Sequence, residues 1–118
     1  MSTNIYLIMK QNEIINKIIE QQSLDVFKVG CDRKNFEILK DILKRKDMSI
    51  DDIMTKYGMS LMPANRRINL MSKAGLVKRI DRKRKIIATP LGQRLPNMIS
   101  EIRKYLKNNI RNHFGELT

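Results

Sequence analysis

At 118 residues the chain is long enough for one domain with a single core, and an aromatic share of 5% makes that core aliphatic. Its formal charge of +12 and pI of about 10.1 bear on solubility and non-specific attraction, not on fold. One cysteine (Cys31) excludes an intramolecular disulfide, and a lone histidine (His113) leaves no metal-ligand set.

No Gly-rich phosphate loop and no grouped acids provide for catalysis, so neither an enzyme nor a cofactor is expected. The longest early apolar run, Ile5 to Met9, is too short for a signal peptide or a membrane span. The expected location is the cytoplasm, in association with the nucleoid, with no membrane partner. Cys31 is expected as a small buried residue. The charge is unevenly placed. Residues 1–31 carry three Lys against three acids, whereas residues 61–94 carry ten Lys or Arg against the single acid Asp81. An excess gathered in one stretch indicates a docking surface.

In chain order, Ile5, Ile8, Ile15, Ile18 and Ile19 recur at helical spacing, which predicts an amphipathic helix over residues 5–22. Residues 24–31 break that period and end near Gly30, which predicts a linker or short strand. Asp32 is placed as the N-cap of a helix over about 33–46, with Phe36, Leu39, Ile42 and Leu43 on its apolar face. Ser49 and Asp52 resemble a capping box ahead of a short helix from Ile50 to Tyr57, and Gly58 can end it in a left-handed conformation. Ser60 caps the next helix, Pro63 falls in its first turn, and Gly75 closes it after Ala74. Two helices joined by a tight glycine turn make a helix-turn-helix.

Residues 76–89 follow, with six cations among the eight residues from Lys78 to Lys85 and apolar residues at both ends. That pattern predicts a two-stranded hairpin whose base packs on the core and whose tip faces a polyanion. Thr89-Pro90 then opens a helix over residues 90–113, where Pro96 predicts a kink or a restart. The fold class is mainly α with a small β-hairpin, a winged helix-turn-helix flanked by N- and C-terminal helices. The expected divisions are an N-terminal helix and linker (1–31), the winged domain (32–89) and a C-terminal dimerisation helix (90–118).

On a helical wheel Ala64, Ile68 and Met71 face the core, while Met62, Asn65, Arg66, Asn69 and Lys73 lie opposite. That face suits major-groove reading. Arg forks to guanine O6/N7, Asn pairs with adenine N6/N7, and an apolar tip meets a thymine methyl. Arg66 and Asn69 are the leading base-contact candidates, with Arg67 and Lys73 as phosphate ligands. Leu70 is expected to pack under the wing or against the terminal helix. Lys78, Arg79, Arg82, Lys83, Arg84 and Lys85 would follow the backbone or enter the minor groove. The terminal helices need cover for their apolar stripes, which predicts a homodimer through Ile8, Ile15, Ile18, Ile19, Met98, Ile102, Tyr105, Leu106 and Ile110.

The stretch Met48 to Leu95 resembles winged-helix regulators of the MarR, PadR and ArsR type. It looks closest to the archaeal winged-helix group that includes the 10a chromatin proteins. The residues that carry the likeness are Ser49-Ile50-Asp51-Asp52-Ile53, Asn65-Arg66-Arg67-Ile68, Lys73-Ala74-Gly75-Leu76-Val77 and Thr89-Pro90-Leu91-Gly92. The resemblance implies a dimeric DNA-binding protein with a dimer contact in its terminal helix. The chain departs from it at Pro96 and in its Ile-rich N-terminal helix.

The primary expectation is a sequence-specific transcriptional regulator of double-stranded DNA. One alternative is an architectural or partition-type DNA-coating protein with little sequence preference. Another is a winged helix serving as a protein-interaction module.

Overall fold

A computed structural model describes residues 2–82 and 84–116. Helix α1 (Ser2–Gly30) leads to α2 (Arg33–Arg45), the two-residue strand β1 (Met48–Ser49), α3 (Ile50–Tyr57) and α4 (Leu61–Lys73). Strands β2 (Val77–Ile80) and β3 (Lys85–Ala88) then form the wing, and α5 (Pro90–Glu116) completes the fold. The fold is a winged helix-turn-helix with helices added at both ends.

The caps explain where the helices begin and end. Asp32 accepts the Asn35 N–H at 3.1 Å to open α2. Ser49 and Asp52 form a reciprocal capping box at 3.0 Å in each direction. Gly58 closes α3 at φ 62°, a conformation open to glycine at no steric cost. Ser60 stands at the N-cap of α4, but its hydroxyl makes no capping bond; its carbonyl accepts the Ala64 N–H instead.

Three expectations need correction. Helix α1 does not stop near residue 22; it runs unbroken to Gly30, because Val26 is buried and Val29 half-buried against the core. Cys31 follows it at the surface, and is exposed rather than buried. The sheet has three strands, in the order β1-β3-β2, because Met48 pairs with Ile86 and buries its side chain completely. Helix α5 continues through Pro96, which excludes the restart of the two alternatives there.

The core lies between α2, α3, α4 and the sheet. Ile38, Leu39, Ile42, Ile53, Ile68, Met71, Leu76 and Ile86 are all inaccessible to solvent. Helix α5 closes onto it through Leu95, and its start sits against the backbone of the preceding loop. The Thr89 hydroxyl accepts the Gly92 N–H at 3.1 Å and lies within hydrogen-bond range of the Gly75 and Leu76 carbonyls. A Cβ on Gly92 would come within 2.0 Å of the Leu76 carbonyl oxygen. Thr-Pro-x-Gly therefore ties the exit of α4 to the start of α5.

Candidate nucleic-acid interface

Helix α4 presents two unlike surfaces. Ala64, Ile68 and Met71 are buried, while Met62, Arg66, Asn69 and Lys73 are exposed and Asn65 is half-buried. Met62 is 76% exposed, the highest value among the large apolar side chains of the described residues. The helix has no acidic residue in its first turn, so its N-terminal N–H groups keep their favourable potential for anions.

Period-two alternation in β2 puts Arg79 on the same face as buried Val77, toward the helices. Its Nη2 donates to Asn65 Oδ1 at 3.2 Å and to Asn69 Oδ1 at 3.0 Å. The two asparagines stand one helical turn apart, so a single guanidinium nitrogen spans them. Asn65, Asn69, Lys73, Lys78 and Arg79 line one polar notch between α4 and the wing. Recognition-helix and wing candidates are thus brought together.

At the wing tip, Asp81 and Arg82 adopt φ of 53° and 56°. Left-handed backbone costs a residue such as Arg82 about 1–2 kcal/mol. The turn is closed by the Arg84 N–H donating to the Asp81 carbonyl at 3.1 Å. Lys78, Arg82, Arg84 and Lys85 are exposed; Lys83 lies outside the described residues.

Arg67 points elsewhere. Its Nη1 lies 2.7 Å from Asp32 Oδ2 and 3.0 Å from Asn35 Oδ1. Asn35, the only buried polar residue among those described, completes its bonding by donating Nδ2–H to the Val29 carbonyl at 2.9 Å. One chain of bonds therefore joins the end of α1, the start of α2 and the middle of α4. The Asn35 N–H holds the Asp32 carboxyl below the usual carboxylate range; desolvation opposes this, and Arg67 adds to the lowering. Sequence reasoning missed Asn35, although a polar residue one turn before Leu39 on an apolar face is the available signal. Leu70 is 46% exposed; it lines a groove between α1 and α4 with Val29, Arg66 and Lys73, not the underside of the wing or α5.

Residues 32–78 match the model of the winged helix-turn-helix DNA-binding family. These residues are similar to the DNA-binding domains of that family and share their winged helix-turn-helix fold. No curated protein matches the chain. Among solved structures, it is similar to the homodimeric winged helix-turn-helix DNA-binding domain of a possible ArsR-family transcriptional regulator from Mycobacterium bovis. That likeness has a TM-score of 0.61 at 20% identity, covering 83% of this chain and 90% of that one. The transcriptional regulator BldR from Sulfolobus solfataricus aligns with a TM-score of 0.55 at 20% identity, over 91% of this chain and 81% of its own. AbfR of Staphylococcus epidermidis gives 0.57 at 12% identity, over 95% and 91%. The winged fold is common to all three.

The described residues hold no group of three or more His, Cys, Asp or Glu that could bind a metal. None of their helices is long and apolar enough to cross a membrane.

Proposed function

We propose that the protein is a homodimeric, sequence-specific transcriptional regulator that binds double-stranded DNA in the cytoplasm. Helix α4 reads the major groove through Met62, Asn65, Arg66 and Asn69, with Lys73 on phosphate. The wing lays Lys78, Arg82, Lys83, Arg84 and Lys85 along the backbone or into the flanking minor groove. The observation that carries this reading is the shared surface of α4 and wing, where exposed cations flank side chains able to hydrogen-bond base edges. Arg67 serves in our reading to hold α4 on α2, given its bonds to Asp32 and Asn35.

The dimer would form through residues 1–31 and 90–118, around the winged domain of residues 32–89. Ile8, Ile15, Ile18 and Ile19 on α1 are each more than half exposed, as are Tyr105, Leu106 and Ile110 on α5; Ile102 is 50% exposed and Met98 43%. Such a run of apolar surface favours a two-fold partner. Two α4 helices would then enter successive major grooves about 34–36 Å apart.

A second reading is a DNA-coating protein, in line with the resemblance to the archaeal 10a chromatin proteins. The dense cationic wing supports it, since phosphate contacts carry no sequence information.

Equilibrium binding to DNA flanking the protein's own gene, and to a scrambled duplex of equal composition, separates the two across a salt titration. A preference of about a thousandfold that persists at physiological salt is the result expected of the regulator. Near-equal affinities with one steep salt slope would establish coating instead.

A further inference from the structure

Adenine is read by asparagine through two bonds at once: the amide oxygen accepts from N6–H, and the amide nitrogen donates to N7. In this structure both amide oxygens on the reading face of α4 already have a donor. Arg79 Nη2 lies 3.2 Å from Asn65 Oδ1 and 3.0 Å from Asn69 Oδ1. A guanidinium carries N–H donors and no acceptor, so the oxygen of each amide must face it; a flipped amide would set N–H against N–H. Nη2 carries two hydrogens, one for each asparagine. Because the donor is charged, these bonds are stronger than neutral ones.

Both asparagines therefore offer DNA their N–H groups. The amide oxygen has two lone pairs, so an adenine amino group is left only the one that Arg79 does not use, beside a guanidinium whose positive charge repels the amino hydrogens. Guanine N7 and O6 and thymine O4 make no demand on that oxygen, because they need only a donor. The arrangement is also held from the wing side, since Arg79 stands in β2 paired with Ile86 of β3.

We propose that Arg79 is a specificity-determining residue that fixes Asn65 and Asn69 as hydrogen-bond donors, turning the reading face toward guanine and thymine and away from adenine. This rests on α4 being the major-groove helix.

The test is selection and sequencing of bound duplexes from a pool with a randomised core. It uses the wild-type protein, Asn65→Ala, Asn69→Ala, Arg79→Met and Arg82→Met. The asparagine variants mark the base positions these residues read, as those where preference flattens. At those positions the wild type is expected to select guanine or thymine. Arg79→Met should raise adenine there by about tenfold relative to the wild type. Arg82→Met, which removes an exposed cation from the same wing, should weaken all sequences alike and leave the motif unchanged.

An unchanged motif in Arg79→Met, with only the uniform loss seen for Arg82→Met, would reduce Arg79 to a general cation and overturn the proposal. Adenine already dominant at those positions in the wild type would overturn it as well, whatever the folding of the variant. If the wild type binds the pool yet enriches no motif, the regulator reading fails and takes this proposal with it. That outcome is distinguishable, because in the other two a motif is present.

Discussion

Arg66 and Arg67 are adjacent and chemically identical, yet they leave α4 in different directions. Arg66 is exposed beside Met62 and Asn69, whereas Arg67 is turned inward to Asp32 and Asn35. Their alanine variants should therefore fail differently. Arg66→Ala should cost about 1–3 kcal/mol on the preferred duplex and little on a scrambled one, measured by titration at fixed salt. Arg67→Ala should leave the choice of sequence alone and lower the urea midpoint, by about 1–3 kcal/mol of stability, because the Asn35 oxygen loses its donor.

Acid dependence also belongs to individual residues. The Ser49 N–H and hydroxyl hold the Asp52 carboxyl low, and the Asn35 N–H does the same for Asp32. A carboxylate depressed in the folded state stabilises the protein above its ordinary pKa, and that contribution disappears as pH falls through the folded value. The urea midpoint should be flat above about pH 5 and decline below about pH 4. Asp52→Asn should flatten the decline at the cost of a lower plateau.

Among the elements, the junction from α4 to α5 is the least tolerant of change. Backbone, not a movable side chain, faces Gly92, and an added Cβ would meet the Leu76 oxygen at 2.0 Å. Gly92→Ala should destabilise the domain by more than the roughly 1 kcal/mol of a typical substitution, read by thermal or urea unfolding. Gly30 contrasts with it. Its Cβ would first meet the Leu95 Cδ2 atom at 2.4 Å, at the end of a side chain that has rotamers to choose from. The wing makes a different kind of demand, because its residues hold charge more than core. Neutralising Arg82, Lys83 and Arg84 together should lower affinity on every duplex. The salt slope should become shallower by about 0.9 for each phosphate that the wing no longer neutralises.

For the whole molecule, the radius of gyration is 19.4 Å, against about 13–14 Å for a compact domain of this length. The excess comes from α1 and α5, about 40 Å long at 1.5 Å per residue, which extend beyond the core with apolar side chains uncovered. A double variant, Ile15→Glu with Ile19→Glu, should convert the proposed dimer to monomer in sedimentation equilibrium while the winged domain stays folded. Cooperative binding to a two-fold site should vanish with it. A wild-type protein that sediments as a monomer at micromolar concentration would overturn the dimer.

By itself the sequence determined the features that act within a few turns of chain. Asp32, the Ser49–Asp52 box, Gly58 and Thr89-Pro90 mark helix boundaries because caps bond residues three or four apart. Helical spacing sorted Ala64, Ile68 and Met71 from Asn65, Arg66 and Asn69, and the cationic run between apolar ends announced the wing. Tertiary structure decided what depends on distant partners. The continuation of α1 to Gly30 rests on burial of Val26, and β1 exists because Met48 meets Ile86. The partners of Arg67 and Arg79 were hidden for the same reason. An exposed cation and a clasped one are identical in sequence, and they differ only in which oxygen the fold brings within about 3 Å.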